Sequence, residues 1–204
     1  MIFNIDDKSY MIGSKMFPTS SKDLKAFTEE NTESLSNERL NQILDINEFE
    51  IGHCYSNAEK VRLISKELGL KVEYYSGWLF IPPTPYPIHH AWAVINDVHL
   101  IDMGLSEQRL QFQKKIAGDP NWRNRFAEEM VRINKMKPSK RSILGKVPVG
   151  LTYVGSVDEM EAARKRYRDM MARFPRHVSY ATNQRPSGAT DMQQLVWDME
   201  GKNR

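Results

Sequence analysis

The chain of 204 residues carries a single cysteine, Cys54, which excludes an intrachain disulfide and any zinc site built from several thiolates. No stretch approaches the roughly 18 to 20 consecutive apolar residues that cross a bilayer. The opening MIFNIDDKSY has neither the basic nor the apolar region of a secretion signal. Internal repeats are missing, and so is any HExxH-like or clustered spacing that would turn His53, His90, His99 and Asp102 into metal ligands. These absences point to a cytoplasmic protein with no membrane segment, metal or cofactor. At this length one ordinary domain, with or without an appendage, is expected.

The formal net charge of +3 conceals an asymmetry. Residues 1–120 hold 12 Lys+Arg against 17 Asp+Glu and residues 121–204 hold 17 against 9, so the two parts carry −5 and +8. The basic part offers contacts to phosphates or to an acidic protein, although no nucleic-acid motif accompanies it.

Residues 1–17 read as a short hairpin or N-terminal arm turning at Asp6-Asp7, and Ser20 to Asp45 as two short helices broken near Asn31. The next segment is more informative. Cys54, Ala58, Val61, Ile64 and Leu68 recur at steps of 4, 3, 3 and 4, one face of a helix. Gly69 supplies its stop and Gly52 a sharp entry, which places Cys54 in the first turn.

Val72 to Phe80 alternates as a strand and ends at Pro82, Pro83, Pro85 and Pro87, a stiff loop. His-His-Ala-Trp-Ala-Val-Ile resumes strand character, turns at Asn96-Asp97, and returns through Val98, Leu100 and Asp102. Helices are expected at Glu107 to Ile116 and Asn121 to Met136, then a Lys/Pro/Ser linker. The run GKVPVGLTYVG reads as one strand, and Val157 to Phe174 as a last amphipathic helix. On that helix Met160, Ala163, Tyr167, Met170 and Phe174 should face the domain, leaving Arg164, Lys165, Arg166, Arg168 and Arg173 outward.

Position gives Cys54 its chemical interest. A thiol in the first turn of a helix sees the aligned backbone dipoles, which favour thiolate. A nucleophile also needs a proton acceptor and donor, the work of an imidazole oriented by a carboxylate. His90 lies 36 residues after Cys54 and Asp102 lies 12 after His90, on the two arms of the expected hairpin. A three-residue loop, 95–97, sets His90 directly opposite Asp102 on one face, whereas a two-residue loop puts them on opposite faces. Backbone N–H groups at the helix start would serve an oxyanion, with Asn47 and Asn57 as candidate second donors. Tyr86, among the prolines, and Trp92 are candidates for lining a substrate pocket.

The order Gly52-His53-Cys54-Tyr55-Ser56-Asn57-Ala58, a strand through Tyr75-Ser76-Gly77-Trp78, then His90-Ala91-Trp92 and Ile101-Asp102 resembles the transglutaminase-like core of the papain-like cysteine superfamily. That superfamily also includes the arylamine N-acetyltransferases, and bacteriophage proteins with a C…HAW…D pattern are similar. The resemblance covers about residues 50 to 104. It implies an α+β fold with the cysteine on a helix N-terminus packed against an antiparallel sheet carrying His and Asp. It also implies that Cys54 is the nucleophile, His90 the general base and acid, and Asp102 the orienting carboxylate. Acetyl-CoA and calcium features are lacking, and Pro-Thr-Pro-Tyr-Pro stands just before the histidines, so the substrate class stays open.

The expectation is a papain-like/transglutaminase-like domain over 1–174 with an extended C-terminal tail, 175–204. Its chemistry would be amide or ester hydrolysis, or acyl transfer, through a thioester on Cys54 in the cytoplasm, host cytoplasm if viral. The alternatives are a noncatalytic viral assembly or interaction protein, with a partner at the tail, and a nucleic-acid-binding protein using the basic C-terminal half.

Overall fold

The computed structural model describes residues 2–5, 8–11, 23–82 and 87–173. Tyr86 and the expected tail lie outside the described residues. Strands β1 (Ile2–Ile5) and β2 (Lys8–Met11) pair antiparallel on either side of Asp6-Asp7, the hairpin reading of this segment.

The main sheet has six strands in the order β3-β8-β4-β5-β6-β7, every neighbouring pair antiparallel. They are β3 (Lys25–Phe27), β4 (Val72–Phe80), β5 (Ile88–Ile95), β6 (His99–Ser106), β7 (Ser142–Gly145) and β8 (Thr152–Val157). Among the described residues six helices accompany them: α1 (Glu38–Ile46), α2 (Cys54–Glu67), α3 (Glu107–Lys115), α4 (Trp122–Asn134), α5 (Pro138–Arg141) and α6 (Met160–Arg173). The described chain is therefore α+β. Among the described residues no helix is long and apolar enough to cross a membrane.

Alternation along β5 and β6 divides the core in two. Ala93, Ile95, Ile101 and Met103 face α1 and α2, packing on Leu40, Leu44 and Val61. The residues between them, Trp92, Val94 and Leu100, belong to a second cluster with Phe27, Tyr75, Leu110, Leu151 and Tyr153. The sheet curls around this second cluster. Strands β3 and β5 stand three intervals apart, about 14 Å in a flat sheet, yet the rings of Phe27 and Trp92 lie 6.3 Å from centroid to centroid.

Helix α2 occupies the expected span, entered by Gly52 at φ 91 and closed beyond Leu68 by Gly69 at φ 73. Two other segments differ from the sequence expectation. Leu24 to Phe27 was expected in a helix; Lys25–Phe27 instead forms an edge strand on β8, because Phe27 buries against Tyr75 and Trp92 and Asn31 closes the next turn through Thr28 N–H and Ala26 C=O. Tertiary packing here overrides local propensity. The run GKVPVGLTYVG is not one strand either: Gly145 ends β7 on the outer side of β6, Thr152 begins β8 between β3 and β4, and residues 146–151 cross between them.

Candidate active site

Helix α2 begins at Cys54 with His53 in the N-cap position, no side-chain cap bond and no acidic residue in its first turn. The positive end of the helix dipole is thus presented to the thiol without a neutralising carboxylate on that turn. Cys54 is 9% exposed and is a free cysteine. The chain just before it is tied to the sheet by Gly52 N–H donating to Gly104 C=O at 3.2 Å, and to the helix itself by Asn57 Nδ2 donating to Glu50 C=O at 2.7 Å.

The hairpin that carries the other two residues turns at Asn96 and Asp97, both with positive φ, and pairs Ile95 with His99 and Ala93 with Ile101. The loop is three residues long but spans 96–98, one position later than expected. Continuing the register sets Asp102 opposite Trp92 and His90 opposite Gly104, so His90 and Asp102 are diagonal rather than directly opposed. Parity is unchanged, and the two side chains share a face. They meet: His90 Nε2–H donates to Asp102 Oδ2 at 2.6 Å, with both residues buried.

Asp102 is saturated with donors. Oδ1 accepts from the backbone N–H of Gly104 at 2.8 Å and of Leu105 at 3.1 Å, and Oδ2 accepts from the Tyr153 hydroxyl at 2.8 Å as well as from His90. These two backbone bonds coincide with the irregularity in β6 between Asp102 and Ser106. A carboxylate held from four sides keeps one rotamer, so the imidazole it holds keeps one orientation. Tyr153, from the distant strand β8, is a residue that sequence reasoning missed. Nothing in the local pattern of Thr152–Val157 says which strand it lies near.

With Nε2 engaged, the remaining nitrogen of His90, Nδ1, is the one available to Cys54. Burial alone would push the imidazole toward its neutral form; the Asp102 carboxylate, Cys54 beside it and the hydrogen bonds to both outweigh burial and raise its pKa to about 10. That shift favours the protonated ring over the neutral one.

The body of α2 lies on the opposite face of the sheet from His90 and Asp102. Only its first turn reaches them, over Gly104. A Cβ built at Gly104 would sit 3.2 Å from Cys54 Cα, 3.3 Å from Cys54 Cβ and 3.4 Å from Asp102 Oδ1. The missing side chain lets the helix start approach the strand. The Gly104→Ala protein is expected to keep its fold with Cys54 displaced by a few tenths of an ångström. Its alkylation by iodoacetamide is expected to slow by about 3- to 10-fold, because reactive geometry tolerates little displacement; an unchanged rate would show that the close approach does not matter.

Trp92 does not offer a face to a ligand. It is fully buried, lies nearly parallel to His90 at 6.4 Å and 20°, and meets Tyr153 edge-on at 5.1 Å. Its place is behind the imidazole rather than in a substrate pocket. Asn47 and Asn57, the expected second oxyanion donors, each donate one side-chain N–H to a backbone carbonyl, that of Ile43 and of Glu50. His53 is exposed, 3.3 Å from Glu50.

On the other face His89 is 5% exposed and hydrogen-bonded through Nδ1 to the Tyr55 hydroxyl. Arg164 and Arg166, expected to point outward from the last helix, are half-buried: Arg164 donates to Ser56 Oγ at 3.3 Å, and Arg166 pairs with Asp158, which also accepts from Ser76 at 2.5 Å. Lys165, Arg168 and Arg173 are exposed. No group of three or more His, Cys, Asp or Glu side chains among the described residues is arranged to hold a metal ion.

The described chain is α+β, with a helix-start cysteine near a buried histidine that is hydrogen-bonded to a buried aspartate. Comparison with protein-family models, curated proteins and solved structures finds no match to this chain.

Proposed function

We propose that the protein is a thiol enzyme of papain-like/transglutaminase-like type that forms and resolves an acyl-enzyme on Cys54. The observation that carries this reading is the Asp102–His90 bond at 2.6 Å, with Cys54 as the other partner of the imidazolium. Cys54 would react as thiolate, its sulfur bonding to the carbonyl carbon of an amide or ester. As the tetrahedral adduct collapses, the bond to the leaving nitrogen or oxygen breaks and His90 delivers its proton to that atom. Water or an amine then adds to the thioester and passes a proton to His90, and the thiolate departs. Asp102 fixes the ring and balances its charge throughout. The backbone N–H groups opening α2 face the carbonyl oxygen as it gains charge. Hydrolysis and transfer differ only in the second nucleophile.

The test uses an activated ester. Full-length protein mixed with p-nitrophenyl acetate is expected to release p-nitrophenol in a burst matching the enzyme concentration and to gain one acetyl group on Cys54, seen by mass spectrometry. Cys54→Ala protein should show neither. Absence of acetyl-Cys54 at near-neutral pH, or equal acetylation in His90→Ala protein, would overturn the proposal.

A further inference from the structure

Cys54 and Tyr55 are consecutive on α2, and His89 and His90 are consecutive on β5. Neighbours on a strand point to opposite faces, so while His90 faces Asp102, His89 faces the helices. There its Nδ1 is bonded to the Tyr55 hydroxyl. The ring is caged by Tyr55, stacked at 5.9 Å and 24°, by Trp78, edge-on at 5.1 Å, and by Tyr167 at 5.5 Å. His89 Nε2 is buried without a hydrogen-bond partner. An N–H lying against aromatic faces is tolerable where a bare lone pair is not. The tautomer is therefore Nε2–H, and Nδ1 accepts the Tyr55 O–H.

Packing alone asks for no imidazole in an aromatic cage. A buried polar ring with one nitrogen left unpaired is costly, and its retention calls for a task. From this geometry we infer that the Tyr55–His89 bond is a positioning clamp, setting the separation of Cys54 and His90 by fastening the next residue of each element on the far side of the strand. The inference rests on the reading of Cys54 and His90 as a reacting pair.

The clamp requires a neutral His89. Burial first, then the neighbouring His90 and Arg166 charges, lower its pKa to about 3. Around it stand Tyr55 from α2, Trp78 from β4, Tyr167 and Arg166 from α6, and His90 on its own strand, with no carboxylate among these neighbours to hold a proton on it. His89 itself is therefore neutral, and the nearby Arg166 is paired with Asp158.

The experiment compares iodoacetamide alkylation of Cys54 against pH in the parent, Tyr55→Phe, His89→Phe, the double variant and His90→Ala. Tyr55→Phe removes only the hydroxyl. The double variant leaves no orphaned nitrogen, so it tests the clamp even where a single change destabilises the fold. Expected is a fall on the order of tenfold in rate near neutral pH for Tyr55→Phe, with the double variant no slower than the slower single one, because both changes break the same bond. Superimposable profiles for the parent and the double variant, with His90→Ala still slow, would overturn the clamp and leave the reacting pair standing. Losses that simply add would also overturn it. A His90→Ala profile identical to the parent's would overturn the clamp together with the reading beneath it.

Discussion

In the His90→Ala protein, Cys54 is expected to react with iodoacetamide near pH 7 roughly 10- to 1000-fold more slowly than in the parent, the span corresponding to removal of an opposite charge within about 4–6 Å. Cys54 and Asp102 both favour the protonated His90 ring, whose pKa is raised to about 10. The same shift has a thermodynamic signature. A histidine titrating near 6.5 when unfolded and near 10 when folded holds its proton more tightly in the native state, so its stabilisation is complete below about pH 6.5 and is lost progressively as pH rises through about 10. Urea midpoints of the parent should therefore fall between about pH 7 and 10, by a few kcal/mol in unfolding free energy, and those of His90→Ala should stay nearly level. The buried phenols of Tyr74, Tyr75 and Tyr153, pushed up chiefly by burial, act only above their ordinary range near 10. A level profile in the parent would mean that the native imidazole is not charged.

Asp102→Ala is expected to be the most destabilising single change at the site. It strips the acceptor from the N–H groups of Gly104 and Leu105, the Tyr153 hydroxyl and His90 at once. Each buried donor left without a partner costs about 1–3 kcal/mol, and removing one member of a buried charged pair costs about 3–5 kcal/mol. At roughly 2–4 °C per kcal/mol for a chain of this size, the melting temperature should fall by about 10 °C or more. Asp102→Asn separates stability from chemistry. Its oxygen still serves Gly104 and Leu105, but its amide meets His90 with N–H groups, which draws the imidazole into the tautomer with the proton on Nδ1, facing Cys54. That ring cannot accept a proton from the sulfur. The expected result is a modest loss in melting temperature with a loss of alkylation rate near that of His90→Ala. A melting point within about 2 °C of the parent for Asp102→Ala would show that the four donors find other partners.

Much of this site was legible in the sequence because it is built from local signals. A 3.6-residue period from Cys54 to Leu68 bounded by glycines, and a period of two on either side of Asn96-Asp97, place a helix start and a hairpin. Hairpin parity is a property of loop length, which explains why a loop displaced by one residue preserved the shared face while replacing direct opposition with a diagonal. What was not legible depends on contacts between distant segments. Lys25–Phe27 is a strand because Phe27 meets rings from β4 and β5, and Tyr153 reaches Asp102 because β8 inserts beside β4. Trp92 looked like a pocket residue because aromatic residues serve both cores and clefts, and only its position inside the curl separates the two. Arg164 and Arg166 carry no local mark of the inward partners Ser56 and Asp158.

The insertion of β8 between β3 and β4 also bears on how the protein is made. During synthesis the cysteine, histidine and aspartate all leave the ribosome well before residues 152–157. At roughly 5–20 residues per second, about 4 to 15 s separate the appearance of Phe80 from that of Val157. Throughout that interval one edge of β4 has no neighbour, and Asp102 lacks the hydroxyl that will later hold it. Nascent chains on one message pass through this open-edged stage together, the circumstance in which unpaired strands find each other. Changes in β8 therefore act first on the yield of folded chain during translation, before they register in the behaviour of the finished molecule.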